Sequence, residues 1–103
     1  MPLVARGNKV DVVNTGHAVC VVPDDIETLS GSENVFVHNE PIHRLTDTNT
    51  PHTHCPPVYS TKIDSASPTV FANNLAVARQ GDTYDCTAYV KTVTQNNVYA
   101  DGY

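Results

Sequence analysis

A chain of 103 residues is long enough for one domain, and with two Phe, five Tyr and no Trp it can build only a modest core. Its net charge of -5, with six scattered Lys and Arg, offers no basic patch to neutralise phosphates, which argues against nucleic acid as a partner. Fifteen Val and twelve Thr favour strands over helices, and no apolar run approaches the ~20 residues of a membrane helix.

In chain order, the N-terminal MPLVARGNK has too short an apolar stretch for a signal peptide, so an extracellular role implies a route other than general secretion, or release by lysis. Leu3-Val4-Ala5-Arg6 reads as a strand, and VVNTGHAVC follows Asp11 with the soft donors His17 and Cys20. Cys20, flanked by Val19, Val21 and Val22, reads as a small buried apolar side chain. PDDIETLSGSE (23–33) is acidic, but Asp24, Asp25, Glu27 and Glu33 lack the spacing of a calcium loop, so the stretch reads as a solvated insertion.

Residues 31–47 and 66–82 then repeat each other without gaps at an offset of 35. Six positions are identical: Ser32/Ser67, Val35/Val70, Phe36/Phe71, Asn39/Asn74, Arg44/Arg79 and Asp47/Asp82. Each copy predicts a β-hairpin. A Val-Phe strand meets a two-residue turn, His38-Asn39 or Asn73-Asn74, and returns towards the shared Arg; Asn tolerates the positive φ that such turns require. A third copy is split across the termini. TQNNVYADG (94–102) supplies the outgoing half and Leu3-Val4-Ala5-Arg6 matches the return Ala76-Val77-Ala78-Arg79. Residues 3–6 and 97–100 should therefore be hydrogen-bonded neighbours that close a ring of three units.

The unit resembles the PAAR-repeat family, whose Pro-Ala-Ala-Arg return strand appears here as Pro2-Leu3-Val4-Ala5-Arg6, Pro41-Ile42-His43-Arg44 and Leu75-Ala76-Val77-Ala78-Arg79. The resemblance spans nearly the whole chain, read as a single domain over 1–103. It implies an all-β cone of three hairpin units that caps the homotrimeric β-helical spike of a contractile injection apparatus. The implied setting is the baseplate of a phage tail, within the virion, or alternatively a type VI secretion system, and contact with the target envelope is transient. Two departures concern loop shape: the turns lack the usual Asn-Gly, and Asp11 follows Arg6 by five residues where the other units have three.

The segments after Asp11, Asp47 and Asp82 carry the soft donors, and the pseudo-symmetry sends all three to one end. Along an extended PHTHC (51–55), His52 and His54 share a side and Cys55 faces away, with Pro56 keeping Cys55 extended. Cys20 likewise faces away from His17. The expected ligands are His17, His52, His54 and Cys86, a set that suits tetrahedral zinc, with iron as the alternative and Cys55 as a possible replacement for one histidine. The resemblance implies the same three-His, one-Cys composition. With all four positions filled by protein, the metal would be structural. His38 in a turn and His43 in a return strand read as solvated or hydrogen-bonded, without a site role.

Catalysis finds little support. A Cys-His hydrolase dyad at Cys55 or Cys86 would lack a Gly-rich oxyanion loop and an orienting third group, and a two-His-plus-carboxylate oxygenase site using Asp85 has no other sign. The expectation is a non-enzymatic tip.

Overall fold

Positive φ at both turn residues builds the two hairpins. His38 and Asn39 (φ 48° and 68°) join β3 (Phe36–Val37) to β4 (Glu40–Pro41), and Asn73 and Asn74 (54° and 66°) join β7 (Phe71–Ala72) to β8 (Leu75–Ala76). The two registers match, with Phe36 opposite Pro41 and Phe71 opposite Ala76. The computed structural model describes residues 2–16, 25–53 and 58–100; His17, Cys20, Asp24, His54, Cys55 and the Asp101-Gly102 turn lie outside them.

The third unit closes across the termini as expected. Leu3 pairs antiparallel with Tyr99, the Val4 amide donates to Val98 O (2.9 Å) and the Ala100 amide to Pro2 O (3.1 Å). The three return strands then meet edge to edge as a triangle, through the antiparallel bridges Val4–Arg79, Arg6–Ile42 and Arg44–Val77. At its centre the backbone forms a cycle. Ala5 N donates to Ala78 O (2.9 Å), Ala78 N to His43 O (2.9 Å) and His43 N to Ala5 O (3.0 Å). Each strand edge is thereby satisfied by the next, so the ring leaves none of these edges open.

One core layer repeats with the units. Val4, Ile42 and Val77 occupy equivalent positions and pack with Val37, Ala72 and Ala100. Each such burial contributes up to about 1.5–3 kcal/mol for the larger side chains. Above it, Ala5 and Ala78 join Val13, Ile63, Tyr84, Ala88, Val90 and Val93 in a second layer that lacks the three-fold repeat.

Beyond the triangle the segments after each Asp continue the same wrapping. Thr48 bridges to Lys62, Asn49 to Thr28, and Ile63 to Tyr84. β1 (Val12–Asn14) sits between β2 (Asp25–Glu27) and β9 (Tyr89–Thr92), and β5 (His52–Thr53) pairs with β6 (Val58–Tyr59). The acidic stretch expected as an insertion thus supplies β2; Asp25 and Glu27 remain exposed along it. The result is all-β, with no helix among the described residues, and measures 36 Å by 25 Å by 22 Å.

Candidate metal centre and docking face

The repeated Arg and Asp latch each unit's turn. Asp47 accepts from the Arg44 amide (2.8 Å) and Nε (2.9 Å), and Asp82 accepts from the Arg79 amide (2.7 Å), Nε (3.0 Å) and Nη2 (2.9 Å). Ser30 and Ser65 hydroxyls add a bond to the same carboxylates. The longer spacing in the split unit alters this only in part. Asp11 still accepts from the Arg6 amide (2.7 Å), because Asn8 and Lys9 absorb the two extra residues at positive φ. Its other oxygen turns to the Thr94 amide and hydroxyl, both 2.9 Å, so the guanidinium pairing is lost.

These latches fix the three segments that carry the donors. Cys86 follows the Thr83–Tyr84 bridge region and His52 opens β5, and the two converge with Cys86 Sγ 3.9 Å from His52 Nε2. His52 Nδ1 donates to Thr50 O (2.9 Å), which fixes the tautomer that leaves Nε2 as a lone-pair donor facing the thiol. The Thr61 hydroxyl (3.3 Å) and the Ala88 amide (3.4 Å) also lie against Cys86 Sγ. Gly16 brings the first segment to the same corner. Its φ is +74°, a Cβ there would meet Thr87 O at 2.1 Å, and Thr87 Oγ1 donates to Thr15 O (3.0 Å). The chain thus reaches position 17 one residue after touching the neighbour of Cys86.

Of the four expected ligands, His52 and Cys86 are therefore side by side, while His17 and His54 fall outside the described residues. No third His, Cys, Asp or Glu joins the pair among the described residues. An imidazole held in the right tautomer beside a free thiol is a donor set that fits zinc or iron.

Beneath this corner lies an arrangement that sequence reasoning did not find. His43 is fully buried at the centre of the triangle, where the other units have Ala5 and Ala78. Its Nδ1 donates to Ser30 O (2.7 Å) and its Nε2 accepts from the hydroxyl of Tyr84 (2.8 Å), itself 1% exposed. Burial lowers the His43 pKa below the usual histidine value, against the opposing pull of the Ser30 carbonyl, Asp47 and Asp11; burial likewise raises the Tyr84 phenol. The one sequence signal was that His43 stands where the repeat otherwise carries alanine.

The opposite end of the repeat unit shows three equivalent exposed aromatics. Phe36, Phe71 and Tyr99 are 55%, 59% and 51% exposed, each following a Val of the repeat. Each outgoing strand is held at its base by the residue that opens it. Ser32 Oγ accepts from Val35 N (2.9 Å), Ser67 Oγ from Val70 N (3.1 Å), and Gln95 Oε1 from Val98 N (2.8 Å). Three large aromatic side chains left in water at symmetry-related positions mark a contact surface.

Comparison with known proteins agrees. The family model for the PAAR motif matches residues 25–92, about two thirds of the chain, and covers both complete hairpin units. None of the curated proteins compared with the chain matches it. With the split third unit closing the ring around the same axis, the chain belongs to the PAAR-motif family of spike-tip proteins.

Proposed function

We propose that the chain is the metal-clamped tip of a contractile injection apparatus and caps a homotrimeric spike, one tip per trimer. Its setting is a phage tail baseplate or, alternatively, a type VI secretion system. The observation that carries the reading is the ring of exposed Phe36, Phe71 and Tyr99 around a closed three-fold triangle. A flat-ended trimer presents the same surface three times, and one chain with three equivalent patches meets all of them at once.

His17, His52, His54 and Cys86 would hold one zinc or iron ion at the far end. A bound metal there supplies cross-linking of the three segments rather than reactivity. The chain's own part is to hold His52 in one tautomer through Thr50 O and to keep Cys86 within reach of it. Such a clamp compensates for a small, aromatic-poor core.

Elemental analysis of protein purified without chelators tests the clamp. About one equivalent of zinc or iron, lost in His54→Ala and in Cys86→Ala, is expected; metal-free protein would overturn it. Native mass spectrometry with the trimeric spike of the same apparatus tests the cap. One tip per trimer is expected, and three tips per trimer or no complex at all would refute it.

A further inference from the structure

The three units share an arginine at the end of the return strand, and in two of them a carboxylate takes its Nε–Nη2 edge: Asp47 on Arg44, Asp82 on Arg79. In the split unit that edge carries only the Thr94 hydroxyl, 2.7 Å from Nη2, and Nε is buried with no partner. Arg6 Nη1 reaches the Val37 and His38 carbonyls at 3.3 Å each. No carboxylate pairs with this guanidinium among the described residues, although Arg6 is only 8% exposed.

Arg6 lines a cleft of about 280 Å³ together with His38, Thr94, Gln95, Asn96 and Asn97. The pseudo-symmetry supplies an internal control. The equivalent cleft between the next two units, about 230 Å³, is lined by Arg44, Asn73, Asn34 and Glu33. There the arginine is already ion-paired and a carboxylate, Glu33, stands where the first cleft has Asn96. The first cleft therefore combines a largely desolvated guanidinium, joined to the Asp11 carboxylate only through the Thr94 hydroxyl and with its Nε unpartnered, with the side-chain amides of Asn96 and Asn97 and no acidic side chain in its lining. The second is electrostatically complete.

We propose that the Arg6 cleft is a carboxylate-binding site. A guanidinium prefers carboxylate geometry, and shielding from water makes its charge count for more than it would on an open surface. The rim identifies the occupant. His38 is two residues after Phe36, its Nε2 is 2.6 Å from Asn97 Oδ1, and the Tyr99 hydroxyl donates to Asn96 O (3.2 Å). Tyr99 thus stands against the cleft wall, and Phe36 lies on the strand that leads into His38, so the carboxylate is an Asp or Glu side chain of the spike that docks there. The occupant rests on the spike-tip reading; the anion site itself does not.

The test uses the isolated, isotope-labelled chain and acetate as the probe, at constant ionic strength against chloride. Expected is a saturable shift of the Arg6 Nε–H signal and of the Gln95 and Asn97 side-chain amides, with a dissociation constant on the order of 10 mM for so small a ligand. Asn96→Glu, which places in this cleft the carboxylate its counterpart already has, should cut the acetate response at least about fivefold while the hairpin amide signals stay in place. A shift that rises linearly and equally with chloride, or one undiminished in Asn96→Glu, would overturn the site. Inorganic phosphate binding as tightly as acetate would overturn the carboxylate assignment. Since no spike is present in the titration, a negative result leaves the tip reading standing; that reading fails separately if no trimer complex forms.

Discussion

Lowering the pH should unfold this protein partly through one side chain at its centre. His43 has no room for a proton without rearrangement: Nδ1 already donates to Ser30 O, and Nε2 accepts from Tyr84, whose hydroxyl would have to turn away. Asp11, Asp47 and Arg44 also act on it, the carboxylates favouring the charged form and Arg44 opposing it, but desolvation outweighs them and lowers its pKa. The unfolded chain takes up a proton near pH 6.5, where the folded chain does not. The stability tied to neutral His43 is therefore complete above that pH and falls below it, by up to about 1.4 kcal/mol per pH unit until the folded group titrates.

The other histidines and the carboxylates also titrate, so the quantity to measure is a difference. His43→Ala restores the alanine of the other two units and removes the group, at the cost of a void and of a buried Tyr84 hydroxyl without its acceptor, together about 3 kcal/mol at pH 7.5. Urea unfolding of both proteins from pH 7.5 to 5 should show this deficit narrowing as the pH falls below about 6.5, because only the wild type loses the His43 contribution. Parallel stability curves over that range would refute the argument.

The latches and close approaches give three further expectations. Asp82→Asn removes the charge paired with Arg79, which is 6% exposed, and should cost about 3 kcal/mol; Asp11→Asn, where the arginine is not ion-paired, should cost distinctly less in the same denaturation assay. Gly16→Ala forces both a left-handed φ and an overlap with Thr87 O, so its unfolding midpoint should fall by at least about 2 kcal/mol equivalent. Phe71→Ala should leave the unfolding midpoint unchanged, since its ring is mostly in water, but weaken spike binding about tenfold or more by calorimetry.

Legibility in the sequence followed the range of the interaction. The hairpins were readable because His38-Asn39 and Asn73-Asn74 settle their own backbone locally, and the ring because a repeat with a missing half at one terminus found it at the other. The meeting of His52 with Cys86 follows from applying the same symmetry to the loops. By contrast, the His43–Tyr84 pair spans 41 residues and has no local signature. The release of Arg6 from Asp11 depends on Thr94, 83 residues further on, arriving to take the carboxylate. Spacing announced that the first loop would differ, but it could not say which partner would fill the gap.

The distribution of symmetry along the axis also bears on function. Positions that repeat closely are those at the base: Val35, Val70 and Val98 with Phe36, Phe71 and Tyr99, together with the equivalent Val4, Ile42 and Val77. Divergence begins at the triangle's centre, where one alanine becomes His43, and grows in the loops beyond. A partner with exact three-fold symmetry imposes the same packing demand on each unit, so the surface facing it is held to repetition. A tetrahedral centre imposes the opposite demand, since three equal loops cannot supply four ligands equally. One loop must give two and the others one each, which is the division in the proposed set: His52 and His54 from PHTHC, His17 and Cys86 from the other two segments. Breaking the repeat at one end while keeping it at the other is what a chain must do if it joins a trimer below and closes on a single ion above.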